Sequence, residues 1–227
     1  LPNMTWITSP RKAGKGRARA SAGILASFAV AAGMVLAATP ASADVVPPAD
    51  VATGPVGAPS NNWPDAFAKG AINNGAAPVG TNDYSCKPSA EHPRPVVLVH
   101  GTWMNAYNGF SGLAPQLKEE GYCLFALNYG NSNLTEKSGL GGVIPGVMAT
   151  RPIEESAKHL ARFVDAVLEG TGTDQVDIVA HSQGGPLTLQ YMKFEGGQGK
   201  VNNVITMGAT NNGTTLMGIG TLDRLIG

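Results

Sequence analysis

Four short apolar runs set the rhythm of the chain: residues 96–99, 122–127, 176–180 and 201–207. The first, Val96-Val97-Leu98-Val99, is apolar without interruption, which marks a strand buried on both faces, as in parallel sheets. Between these runs the period changes. From Pro152 to Leu168, the residues Ile153, Ala157, Leu160, Val164, Val167 and Leu168 recur at helical spacing. Pro152 suits the first turn of that helix, Glu154 and Glu155 suit its positive end, and Gly170 and Gly172 are expected to stop it. Further helices are predicted over residues 109–120, with Phe110, Leu113 and Leu117 on one face, and over 183–194, ended by Gly196-Gly197. Residues 129–150, rich in Gly, Asn and Ser, read as a long loop. Strands alternating with helices predict an α/β class: a mostly parallel sheet with helices on both faces.

The first 43 residues carry a different pattern. Arg11, Lys12, Lys15, Arg17 and Arg19 form a basic block, residues 22–38 are apolar, and Ala41-Ser42-Ala43 offers small residues for cleavage. This three-part order is that of a secretory signal cut after Ala43, with an uncleaved membrane anchor as the alternative. The sequence opens with Leu1, so Met4 as an internal start and a piece missing ahead of Leu1 are both open readings.

Removing the leader changes the charge. The whole chain balances sixteen basic against sixteen acidic residues, but five basic ones leave with the leader, and the remainder is formally −5. Nucleic-acid binding needs a basic face to neutralise phosphate, and none is expected here. Residues 44–85, rich in Pro, Gly, Ala and Asn, read as an extended arm laid over the domain of residues 86–227, with a short helix near 63–69. The alternative is a disordered linker. The two cysteines, Cys86 and Cys123, lie in the exported part. An oxidising compartment makes a disulfide the leading reading, against two buried free thiols. With no CxxC, no HExxH and no clustered Cys/His set, neither a catalytic metal nor a cofactor is expected.

The segment Val176-Asp177-Ile178-Val179-Ala180-His181-Ser182-Gln183-Gly184-Gly185 carries the candidate chemistry. It reads as a buried strand running into a sharp turn that bears a serine, the nucleophile elbow of serine hydrolases, with alanine where the motif more often has its first glycine. Small residues two before and two after Ser182 are a steric need of that turn. A serine hydroxyl also needs a base and donors for the oxyanion that forms. The backbone N–H of Gln183, opening the next helix, is the natural first donor. The second is expected from His100-Gly101-Thr102-Trp103, as the N–H of Thr102 or, alternatively, of Trp103.

The base is the missing part. In this fold the order is Ser, then Asp or Glu, then His, yet no histidine follows Ser182. His100 reads as structural, His181 points away from the serine, His159 reads as solvated mid-helix, and His92 lies ahead of the first strand. Glu195 ends the helix after the elbow, and Asp223 follows the fourth strand too closely. The acid and the histidine are therefore expected beyond Gly227, in strand–helix units that this chain lacks.

Three segments together resemble the secreted class 2 lipases of actinobacteria, members of the α/β-hydrolase superfamily: Val97-Leu98-Val99-His100-Gly101-Thr102, Ala126-Leu127-Asn128-Tyr129-Gly130 and Ala180-His181-Ser182-Gln183-Gly184-Gly185. Glu154-Glu155-Ser156-Ala157 and Asn212-Gly213-Thr214-Thr215 match as well, so the resemblance runs over about residues 84–227. It implies an α/β-hydrolase fold lacking its last strand–helix units, and a metal-independent esterase or lipase working through an acyl-serine. Ser182 carries over as nucleophile, and Thr102 and Gln183 as oxyanion donors. A bridge between Cys86 and Cys123 would tie the arm to the second strand.

The implied partner is a lipid or small ester. The apolar run 140–148 either lines an acyl pocket, touches a lipid interface or packs as a surface loop. A short-chain carboxylesterase, an acyltransferase that discharges the acyl-serine to an alcohol, and a binding domain that has lost its chemistry are the rival readings. Oligomeric state is not legible in the sequence.

Overall fold

The computed structural model describes residues 48–131 and 144–215. The leader, the run 140–143 and Asp223 lie outside the described residues.

Each apolar run becomes a strand: β1 (Val96–Val99), β2 (Leu124–Ala126), β3 (Val176–His181) and β4 (Val201–Met207). All pair parallel, in the order β2-β1-β3-β4. Val97 stands opposite Phe125 on one side and Ile178 on the other. Because successive side chains alternate across a strand, β1, β2 and β3 each feed two cores. Val97, Val99, Phe125, Ile178 and Ala180 join one, against α4 (Ile153–Thr171) and α5 (Gly184–Phe194). Val96, Leu98, Leu124, Ala126 and Val179 join the other, against α2 (Ala106–Phe110) and α3 (Leu113–Glu119). Two helix-covered faces on a parallel sheet are the expected α/β arrangement. β4 ends the described sheet with Asn202, Asn203, Ile205, Thr206 and Met207 exposed.

The helix predicted over 109–120 is two helices, and the sequence holds the reason. In one continuous helix the Pro115 ring would strike the carbonyl of Ser111. The chain breaks at Ser111-Gly112, which puts Pro115 in the first turn of α3. α2 starts earlier than expected because Asn105 and Asn108 cap each other: each side-chain oxygen accepts the other's backbone N–H at 2.9 Å. α4 also overruns its predicted end. Gly172 stops it in a left-handed conformation, φ 71°, with its N–H on Leu168 O. Gly170 lies inside the helix instead of ending it. A Cβ there would come within 2.9 Å of the Tyr84 ring, so its role is to admit that ring.

The arm is built into the core. Val51 is fully buried in the α4–α5 cluster, and its carbonyl accepts the Asn128 N–H at 3.1 Å. A helix, α1 (Trp63–Ile72), is capped by Asn62. The arm then reaches the outer edge of β2. Thr81 bridges Leu124, and the Asn82 N–H bonds Leu124 O at 2.9 Å. The Asn82 side chain imitates a strand: Nδ2 donates to Ala126 O at 2.9 Å, and Oδ1 accepts the Ala126 N–H at 2.8 Å. Cys86 and Cys123 form a disulfide just beyond. The arm also covers His159, expected to be solvated: its side chain keeps 18% exposure, with Nε2 3.6 Å from Asp50, which also pairs with Arg162.

Candidate active site

Ser182 sits where β3 turns into α5, with φ +50°, one of four non-glycine residues in that region among those described. L-residues avoid it at a cost of roughly 1–2 kcal/mol, so neighbouring contacts must hold it there. The Ser182 N–H donates to Met207 O at 2.9 Å, and Ser182 O accepts the Gly185 N–H at 3.0 Å. The turn has no room for side chains around it. A Cβ on Gly184 would stand 2.5 Å from Val99 O, and one on Gly185 2.5 Å from the Ala209 Cβ. Ala180, two residues before the serine, is fully buried. Ser182 itself is half-buried, at the carboxyl end of the sheet.

The loop after β1 closes against the turn. A Cβ on Gly101 would lie 2.8 Å from the Ser182 Cβ, so only glycine allows this approach. Trp103, with φ +62°, gives its N–H to Met148 O at 2.9 Å and has none to offer a ligand. Met148 belongs to the apolar run 140–148; in its described part Val147 and Met148 are buried and Ile144 is exposed. Among the described residues, the N–H groups of Thr102 and Gln183 have no acceptor. Gln183 precedes the first turn of α5, where the helix dipole adds to the pull on negative charge.

The histidines do other work. His100 is fully buried, and its Nδ1 lies 3.0 Å from Gly101 O. Burial, reinforced by nearby His181, pushes its pKa down to about 4, so at neutral pH the ring is uncharged and can donate from Nδ1. His181 sits beside Gly101, with Nδ1 buried and its pKa lowered by burial. His92 stacks on Tyr122 at 3.7 Å. Among the described residues, no side chain bonds the Ser182 hydroxyl, and no three His, Cys, Asp or Glu side chains gather in a way that could hold a metal ion. The structure thus brings Ser182, Gly101-Thr102 and Gln183 together and leaves the base unassigned. Sequence reasoning passed over Tyr129, whose ring stacks on His100; no spacing rule signals a contact across 29 positions.

The family model for class 2 lipases matches residues 93–221. The chain belongs to the class 2 lipase family. The match runs from just before β1 past the end of β4, so strands, elbow and Gly101 loop all lie inside the class 2 lipase region. Solved structures similar to this class 2 lipase chain include the Bacillus licheniformis lipase BlEst2. Its mature form shows 20% identity and a TM-score of 0.43, covering 65% of this chain and 50% of that one. An extracellular alpha/beta-hydrolase from a Paenibacillus species shows 17% identity and a TM-score of 0.38, covering 52% and 41%. The chain therefore spans about half the length of the mature Bacillus lipase.

Proposed function

We propose that the full-length protein is a secreted serine hydrolase of carboxylic esters, exported by the leader and cut after Ala43, with lipid or small esters as substrates. The reading rests on one observation: Ser182 is held in left-handed backbone at a strand–helix turn, with the Gly101 loop pressed against it. Oγ attacks the ester carbonyl as its proton passes to a base. The carbonyl oxygen becomes an oxyanion, received by the N–H groups of Thr102 and Gln183. Collapse expels the alcohol, protonated by the same base, and leaves an acyl-serine. Water then adds to the acyl carbon, the acid departs and the Ser182 hydroxyl is restored. Both open N–H groups border the serine, which supports their pairing as an oxyanion hole. With no histidine after Ser182 in the sequence, these residues supply nucleophile and charge stabilisation.

The test uses that protein. An alkyl fluorophosphonate is expected to form an adduct on the peptide carrying Ser182. Ser182→Ala should abolish the adduct and lower kcat on p-nitrophenyl butyrate by at least about a thousandfold. Hydrolysis that survives Ser182→Ala, or an adduct on another residue, would sink the assignment.

A further inference from the structure

We propose that Tyr129 is a positioning residue for the oxyanion hole, its hydroxyl and ring setting the direction of the Thr102 N–H; the inference rests on the reading of Ser182 given above. Tyr129 lies three residues past β2, fully buried, with its carbonyl held by the Ala149 N–H at 3.0 Å. Its phenol oxygen touches both sides of the candidate hole. It donates to His100 O at 2.7 Å and reaches Gln183 Oε1 at 3.5 Å. A phenol has one proton, and the short contact to His100 takes it; the longer one, oxygen to oxygen, then carries no hydrogen bond. Burial raises the phenol's pKa, so the donor stays protonated.

The consequence follows from peptide planarity. The His100 carbonyl shares a plane with the Gly101 N–H, and the Gly101 carbonyl shares one with the Thr102 N–H. Tyr129 fixes the first plane. The second is fixed by two donors on Gly101 O: the Met104 N–H at 3.2 Å and His100 Nδ1 at 3.0 Å. The His100 ring is in turn stacked on the Tyr129 ring, with centroids 4.2 Å apart and planes inclined by 20°. Tyr129 therefore acts on the Thr102 N–H twice, through its hydroxyl on the backbone and through its ring on the imidazole. Trp103 N–H on Met148 O closes the far side of the loop. A glycine loop can present an N–H in many directions, and this set of contacts leaves one. Phenylalanine would fill the same space, so the hydroxyl is the part that needs a reason.

Tyr129→Phe in the full-length protein removes the hydroxyl and keeps the ring. The expected result is a fall in kcat of about tenfold with KM within about twofold, short of the hundredfold or more that follows loss of an oxyanion donor itself. A boronic acid, whose adduct on Ser182 places an anionic oxygen in the hole, should weaken by the same factor. Purely structural damage would instead lower the melting temperature without separating kcat from KM. Fluorophosphonate labelling checks the site independently. Full labelling of Tyr129→Phe together with wild-type kcat and boronate affinity overturns the role of Tyr129 alone, whereas wild-type protein that fails to label at Ser182 overturns the site. If Tyr129→Phe does not fold, His100→Phe tests the second link, since it keeps a ring against Tyr129 and deletes the Nδ1 donor on Gly101 O. A kcat loss of about threefold is expected there at constant KM, and an unchanged kcat overturns the proposal.

Discussion

At the turn after β3, a serine occupies backbone space suited to glycine, and the two glycines that follow occupy space suited to nothing larger. This division of labour predicts opposite effects from exchanging them. Ser182→Gly should unfold at no lower urea concentration than wild type while losing its chemistry, because the left-handed angle costs glycine nothing. Gly184→Ala pushes a methyl group to 2.5 Å from Val99 O, a backbone atom that cannot swing aside. A loss of about 2 kcal/mol or more is expected by urea unfolding. A stable Gly184→Ala would show that the turn is more pliant than its contacts imply. These residues were legible in the sequence because the turn's steric demand is local and leaves small residues at fixed offsets. That the Trp103 N–H is taken up by Met148 O was not legible that way, since Met148 lies on another loop. Tyr129 escaped for the same reason.

At the scale of elements, strands were legible as apolar runs, because burial on both faces leaves few other side chains possible. Boundaries were less so. The break before α3 is written in Pro115, and the over-long α4 in a glycine that admits a tyrosine from the arm. The arm itself was ambiguous, because its contacts are mostly polar and distant: Asn82 bonds across 44 residues to Ala126. Here the side-chain amide stands in for a neighbouring strand, and its φ of +64° is one that asparagine tolerates better than most residues. Asn82→Ala leaves the N–H and C=O of buried Ala126 unpaired, at an expected cost of about 2–3 kcal/mol in urea unfolding. A change below about half a kcal/mol would mean that water replaces the amide without penalty.

For the molecule as a whole, sheet order, helices on both faces and family membership agree, and the single disulfide adds a long-range tie. It closes a loop of 37 residues, which in the chain-entropy account stabilises the fold by about 4 kcal/mol. Replacing both Cys86 and Cys123 by alanine should lower stability by that order in guanidinium unfolding, and should make the arm the first segment cut in limited proteolysis. Equal stability of the double variant would leave the remaining arm contacts sufficient on their own. The arm's position also fixes an order of events during synthesis. Chains emerge amino end first, so Asn82 and Cys86 are in place before Leu124, Ala126 and Cys123 leave the ribosome. The second strand thus meets its edge cover as it is made, and its open hydrogen-bonding groups need never wait for a partner from another molecule.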